Sequence, residues 1–467
     1  MVFSSISFLY YFLPIVIIIY FIAPNRIKNL ILLLASLVFY YYGEPDYFYI
    51  ILLSSFMGYI HGLWIHKTKK SKYKKVPLIS SIITLIGILV FYKYSNFFIN
   101  NLNALLKLNL QTLPIKLPIG ISFFTFQTLS YTIDVYRSQA KVQKNPLDLF
   151  TYVTLFPQLI AGPIVRYVTV ESELTNRNHS IEKMAKGIKR FIIGLSKKVL
   201  IANTLGELIQ IFESSNEKTV LFYWMVAISF TLQIYFDFSG YSDMAIGLGL
   251  IFGFHFLENF NYPFISKSIT EFWRRWHISL GSWFRDYVYI PLGGNKVTKS
   301  KWIRNIIVVW FLTGLWHGAQ WNFILWGLYF AALLILEKAF LIKGLKAVPD
   351  IIKHLYTILL IVISFVIFNS NSLLNMVENL KGMFGALNIP FINPFTLYYL
   401  KSFAVVIIIG IVASTPLFKD WKEKIYRYHK GKILIDIMEP IIYIFLLICN
   451  TAFIVDGSFN PFLYFRF

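Results

Sequence analysis

Cysteine is nearly absent: the 467 residues hold one, Cys449. A disulfide within the chain is thereby excluded, and so is a thiolate metal cluster. Inside the apolar run 441–449, that cysteine reads as a small packing residue rather than a nucleophile. Charge is scarce as well. Only 14% of residues are charged, where a soluble domain carries about a quarter, while 57% are hydrophobic and mean hydropathy is +0.61. A water-soluble protein has no way to hide that much apolar surface, so composition alone places the chain in a bilayer. Acids are the scarcer sign, 23 against 44 Lys and Arg, for a formal net charge of +21. In a soluble chain this excess suggests nucleic acid. In a membrane chain basic residues hold loops on the cytoplasmic side, and no zinc-finger spacing or helix-turn-helix pattern argues for a nucleic-acid partner. Catalytic signatures are missing too. No G-x-S-x-G elbow occurs; the nearest stretch, Gly240-Tyr241-Ser242-Asp243, lacks the second glycine. There is no Walker loop, no dinucleotide-binding glycine fingerprint and no H-E-x-x-H zinc pair.

What is present is a series of apolar runs. A helix needs about 20 largely apolar residues to cross a bilayer. Candidate runs are 8–23, 30–42, 47–65, 78–92, 119–136, 220–236, 244–256, 306–316, 323–340, 355–368, 403–413 and 441–454; 149–164 and 191–212 are apolar but broken by Pro, Gly or Lys. The expectation is an all-α polytopic membrane protein with roughly 10–12 spans, some short or re-entrant. The apolar N-terminus carries no basic leader and no small-x-small cleavage site, and reads as a retained first helix. Loop charge alternates. Arg26 and Lys28 follow the first run, Glu44 and Asp46 the second, and Lys67, Lys69, Lys70, Lys72, Lys74 and Lys75 the third. This puts the N-terminus outside and the lysine cluster in the cytoplasm; the same cluster also suits acidic lipid or a partner. Arg137, Lys141 and Lys144 read as cytoplasmic, and so do Lys186, Lys189, Arg190, Lys197 and Lys198. The stretch between them, LFPQLIAGPIVRY, then enters and leaves on one side, a re-entrant segment near 156–166. From 265 to 304 basic residues interleave with Trp273, Trp276, Trp283 and Phe284, and Phe272, Trp276, Leu280 and Trp283 share a face at helical spacing. That pattern predicts an amphipathic helix at the cytoplasmic interface. With no repeat, low-complexity tract or splitting linker, one domain over 1–467 is expected.

Of the eight histidines, His61, His66, His179, His354 and His429 read as solvated or interfacial, and His255, in FGFHFL, as a packed side chain. His317 differs, lying in FLTGLWHGAQWNFILWG among bulky apolar residues. An ionisable group at membrane depth is costly and marks function by default; the alternative is a histidine bonded to a neighbouring helix. Gly314 and Gly318 loosen the chain there and admit another backbone or a ligand. His277, in EFWRRWHISLGSWFRD, would share a helix face with Trp273, Arg274 and Gly281; a snorkelling interfacial residue is the equal alternative. Two histidines without a usable cysteine suggest proton-transfer chemistry. An imidazole takes the proton of a hydroxyl that attacks an activated acyl thioester, and burial favours the neutral, competent base. Asp237 and Asp243, in YFDFSGYSDMA, either orient a histidine or a substrate hydroxyl, or mark a capped helix break around Ser239-Gly240.

At these residues the chain resembles the membrane-bound O-acyltransferases, and more narrowly the bacterial branch that O-acetylates alginate, other exported polysaccharides or peptidoglycan. The resemblance rests on MVFSSISFLYYFLP, LPIGISFFTFQTLSYTIDVYR, LFPQLIAGPIVRY, FDFSGYSDMAIGLGLIFGFHFLENFNYPF, FWRRWHISLGSWFRDYVYIPLGGN and GLWHGAQWNFILWG, in the family's order. The motif-bearing core covers 115–330, and the chain beyond 340 is only generically apolar. The resemblance implies a ring of helices around a tunnel, with amphipathic helices forming a cytoplasmic funnel. It makes His317, of WHGA, the mid-tunnel catalytic histidine and His277, of RRWHISL, the second active-site position. It implies a cytoplasmic acyl thioester donor, acetyl-CoA for this branch, with no bound cofactor or metal. The acceptor lies outside the bacterial inner membrane, often reached through a periplasmic esterase-like (SGNH-type) transferase. Trp273, Arg274, Arg275 and Trp276 would line the donor mouth, where cations suit phosphates and rings suit adenine. Ser279 and Trp316, beside the histidines, join Asp237 and Asp243 as binding candidates. Within the family the alternative is D-alanyl transfer to teichoic acid from a carrier-protein thioester; outside it, a transporter or flippase, or a structural scaffold.

Overall fold

The computed structural model describes residues 2–457 apart from Lys69 and Ala161. Lys69 of the lysine cluster, the side chain of Lys72 beside it and residue 161 of the broken segment therefore lie outside the described residues. Every regular element among the described residues is a helix. Seven are long and apolar enough to cross a membrane: Phe48–Lys67, Lys75–Leu106, Val220–Ile251, Trp321–Leu341, Asp350–Asn369, Pro394–Ala413 and His429–Asp456. The chain is an all-α, multi-pass membrane protein. Seven is fewer than the count of apolar runs, for physical reasons. The runs at 220–236 and 244–256 fuse into one helix of 32 residues. Those at 30–42 and 119–136 fold into 16-residue helices, Lys28–Gly43 and Ile121–Tyr136. The fusion also removes the helix break expected at Ser239-Gly240, which lies mid-helix.

The outer faces are what hydrocarbon requires. In His429–Asp456 only 6% of the most apolar window is buried, and Ile444, Phe445 and Ile448 are more than half exposed. Water would penalise such a face by about 25 cal/mol per Å²; lipid does not.

The chain divides into two compact units, Met1–Phe191 with Tyr241–Leu257, and Ile192–Gly240 with Glu258–Phe467. In the first, Phe48–Lys67 packs on Ile121–Tyr136 through two glycines one turn apart. A methyl on Gly58 would strike Thr128, and one on Gly62 the ring of Tyr131; small residues at a crossing let helices approach closely. The stretch 156–166 is broken as expected, with one helical turn, Phe156–Leu159, between Pro146–Thr154 and Tyr167–Thr175. Protein groups meet its backbone at both ends: Phe156 N donates to Ser36 Oγ at 3.0 Å, and Val165 O accepts from Tyr152 Oη at 2.9 Å. Two histidine readings are corrected here. His61 is buried, its ring nitrogens 2.7 Å from Met57 O of its own helix and 3.0 Å from Ser80 Oγ of the next, so protein rather than water satisfies it. His255 is exposed, because the helix ends before it.

The second unit is built on a helical hairpin, Lys299–His317 against Trp321–Leu336, crossing where glycines face each other. A methyl on Gly314 would strike the Phe323 carbonyl, and one on Gly327 the Trp310 carbonyl. The stretch after 265 is not one amphipathic helix. Ile269–Arg275 stops, Trp276 is extended, His277 takes a left-handed backbone (φ 46°, ψ 53°), and Ile278–Phe284 begins afresh. Lateral backbone bonds account for the interruption: Asn261 N donates to Arg275 O at 2.9 Å, and Ile278 N to Asn259 O at 3.0 Å. The start of Ile269–Arg275 is fixed by the wholly buried Glu337, whose carboxylate accepts from Ile269 N and Thr270 N at 2.7 and 2.8 Å. An anion suits that helix end. The apolar set Phe272, Trp276, Leu280 and Trp283 is nonetheless buried throughout.

Candidate active site

The break at residue 277 is what presents its side chain. His277 is 1% exposed, edge-on to Phe238 with ring centroids 4.7 Å apart. Its Nδ1 lies 3.2 Å from Asn259 Oδ1, which also accepts from Ser279 N at 3.2 Å and Ser279 Oγ at 2.9 Å. A backbone N–H can only donate, so the Asn259 atom facing Ser279 N is the amide oxygen. The imidazole nitrogen facing that oxygen must then carry the hydrogen, which fixes the tautomer. Nε2 keeps its lone pair, and it is buried without a hydrogen-bond partner among the described residues. Burial pushes the imidazole far below its ordinary value, to about 3, so it is neutral at physiological pH.

His317 closes the first helix of the hairpin at 4% exposure. Its ring sits edge-on to Trp316, Trp326 and Phe368, at 4.9, 5.0 and 5.4 Å. Phe368 is anchored by its carbonyl, which accepts from Asn322 Nδ2 at 3.1 Å. Gly318 admits the Phe323 ring where a methyl would collide with it. Trp316 joins the two histidines: its ring is also 5.7 Å from that of His277. Two imidazoles 40 positions apart in sequence thus meet the same indole in one aromatic, water-poor surround.

The remaining candidates are distributed differently. Ser279 belongs to the His277 cluster through Asn259. Trp276 is 3% exposed, packed among Phe260, Phe272 and Phe365. Trp273 packs on Trp310 at 4.6 Å and Phe330 at 4.8 Å. Both tryptophans thus serve the core of the unit. Arg275 Nη2 is 2.9 Å from Glu271 Oε1, one turn away, while Arg274 is exposed. Asp237 is ion-paired with Lys198 at 2.5 Å, both almost wholly buried. Asp243 belongs to the other unit, where Arg190 Nη2 lies 2.8 Å away. Asn259 is the residue that sequence reasoning missed. It sits in the irregular stretch after Ile251, where periodicity carries no signal, and its only mark is a polar residue inside FLENFNYPF.

The membrane-bound O-acyltransferase family model matches residues 60–376, a span that takes in both histidines. The chain belongs to the membrane-bound O-acyltransferase family. It is an acyltransferase, as its motifs implied. A probable alginate O-acetylase of Azotobacter vinelandii is 40% identical over 379 residues, covering 80% of this chain and 76% of the relative. A peptidoglycan O-acetyltransferase of Helicobacter pylori is 35% identical over 421 residues, 82% of this chain and 80% of the relative. A teichoic acid D-alanyltransferase of Bacillus subtilis is 33% identical over 261 residues, only 53% of this chain and 65% of the relative. The O-acetylating members of the membrane-bound O-acyltransferase family therefore match further along the chain than the D-alanylating one.

Proposed function

We propose that this protein moves an acetyl group from a cytoplasmic thioester, acetyl-CoA, across the bacterial inner membrane for O-acetylation of an exported envelope polysaccharide or peptidoglycan. The observation that carries the reading is the His277 Nε2 lone pair, buried, held in one tautomer and sharing Trp316 with His317. A hydroxyl donates to that nitrogen. As its oxygen attacks the thioester carbonyl, its proton passes to the imidazole; the carbon–sulfur bond breaks, and the thiolate leaves with the proton. His317, across the Trp316 ring, steadies the carbonyl oxygen while charge develops. The dry aromatic surround strengthens both interactions. The relatives named as O-acetylating match about 80% of the chain, against 53% for the D-alanyltransferase, which favours acetyl over D-alanyl. On this reading the chain acts as one catalytic domain around a tunnel, and Arg274, the exposed member of the expected donor mouth, meets the donor's phosphates. A periplasmic SGNH-type transferase completes delivery to the polymer.

The test is acetyl-CoA consumption by the purified protein in nanodiscs, with envelope glycan and the SGNH-type partner present, comparing the parent with His317→Ala and His277→Ala. Loss of turnover in both variants, with thermal unfolding near the parent's, is the expected result. Equal consumption by either variant removes that histidine from the chemistry. Consumption by none of the three, the parent included, refutes acetyl-CoA as donor.

A further inference from the structure

In the second unit, basic residues gather at one set of helix ends. Lys299, Lys301 and Arg304 begin Lys299–His317, and Lys419, Lys422, Lys424, Arg427, Lys430 and Lys432 run from the end of Pro394–Ala413 through the first turn of His429–Asp456. The basic excess assigns those ends to the cytoplasm. At the opposite ends lies a cavity of ≈ 270 Å³, between the start of Val220–Ile251, the end of Asp350–Asn369 and the short helix Leu373–Met383.

Its lining is unusual in chemistry. Asn369, Asn371, Asn375 and Asn379 all reach it. The last three are spaced four apart, while Met376, Leu380 and Met383 of the same helix pack into the core. Asparagine is a poor helix former, so a stripe of it does little for the helix itself. Asn379 Nδ2 donates to Asn375 Oδ1 at 3.2 Å, which leaves the Asn375 amide nitrogen and the Asn379 amide oxygen for a ligand. Each amide offers donors and an acceptor, the pattern that adjacent hydroxyls of a sugar match, since each hydroxyl does both. Tyr223 and Phe230 supply an apolar floor for the C–H face of a ring. Glu213 and Lys218 bring one charge of each sign, and Lys218 Nζ is already 4.8 Å from the Phe212 ring. That is too little net positive charge for a phosphate site. The volume holds about nine waters at liquid density, or one pyranose. The cavity is also next to the chemistry: Asn369 follows Phe368, whose ring is 5.4 Å from that of His317.

We infer that this cavity is a saccharide site, holding one pyranose of the exported glycan by its hydroxyls on the non-cytoplasmic side, where the partner transferase completes delivery. The inference rests on the acyl-transfer reading above. The test is direct binding of two probes to the full chain in nanodiscs by titration calorimetry: a mannuronate tetrasaccharide and a tetramer of N-acetylglucosamine. The parent should bind one of them, and the preferred probe tells a uronate acceptor from an amino-sugar acceptor. The double variant Asn375→Leu with Asn379→Leu should weaken that binding more than about tenfold, while Asn375→Gln costs less than about threefold. Should the double variant fail to fold, Asn371→Ala, which precedes the helix, carries the same expectation in weaker form. A folded parent that binds neither probe, or Leu and Ala variants that bind as the parent does, overturns the site. A parent that consumes acetyl-CoA but binds no saccharide loses this inference alone. One that binds saccharide but consumes no acetyl-CoA keeps the site and loses the transfer reading.

Discussion

Asn259→Leu is the sharpest perturbation of the site, because it removes one oxygen and keeps the volume. That oxygen takes three hydrogen bonds, from His277 Nδ1, Ser279 N and Ser279 Oγ, at 3.2, 3.2 and 2.9 Å. A typical bond is worth about 1 kcal/mol net, and a stranded buried donor costs about 1–3 kcal/mol. The Ser279 hydroxyl can turn elsewhere; its backbone N–H cannot. Stability should therefore fall by about 2–4 kcal/mol. The kinetic effect comes through the tautomer. Without the oxygen the Nδ1–H form loses about 1 kcal/mol of preference, roughly fivefold in population. The ring also loses its anchor, so kcat for acetyl-CoA turnover should drop by about one order of magnitude. Asn259→Asp separates positioning from mere packing. It keeps the acceptors but adds an anion, which raises the imidazole from its value of about 3. The Asp variant should then lose rate on the acid side of a profile from about pH 5 to 8, where the parent stays flat. A second consequence has a definite sign. The folded imidazole titrates below its ordinary 6.5, so the unfolded chain takes the proton first. The stability this group contributes is present above pH 6.5 and fades as pH falls toward 3. Parental kcat in a folded Leu variant, together with superimposable pH profiles for parent and Asp, would refute the reasoning.

Two further substitutions test the scaffold by thermal unfolding in detergent. Gly314→Ala puts a methyl against the Phe323 carbonyl and should cost about 1–3 kcal/mol as the hairpin parts, whereas Gly87→Ala, with nothing within 4 Å, should be neutral or slightly stabilising; equal behaviour of the two would mean the hairpin crossing is not tight. Lys198→Met removes the cation 2.5 Å from the buried Asp237 carboxylate and should cost about 3–5 kcal/mol, much of it recovered when Asp237→Leu is added; a double variant worse than the single one would mean the pair does more than neutralise itself.

Much of this was readable from the residues, and the misreadings have local causes. Membrane class followed from the shortage of charge, and the burial of His317 among aromatic rings from an ionisable group among bulky apolar side chains. Gly314 was expected to admit another backbone, and it admits that of residues 323 and 324. Gly240, read as a possible helix break, is mid-helix because its missing side chain makes room for the Gly194 carbonyl, 2.7 Å from where a Cβ would be. A glycine that ends a helix and one that lets two helices touch look alike in sequence. The interruption at Trp276 and His277 was hidden for another reason. Burial kept the helical spacing of Phe272, Trp276, Leu280 and Trp283, while the bonds that broke the helix come from residues 259 and 261. Asn259 was missed on the same account, since its role exists only once the chain has returned to it.

The backbone of His277 leaves a trace that selection can read. A left-handed residue with a bulky side chain carries strain of about 1–2 kcal/mol, which glycine or asparagine would relieve. On the proposed role of His277, random variants chosen for yield or heat tolerance alone would drift toward Gly or Asn at this position, gaining robustness while losing turnover. On that reading, screens to improve this protein as a reagent need turnover in the score from the first round, because the sturdiest molecule and the working one would be different sequences.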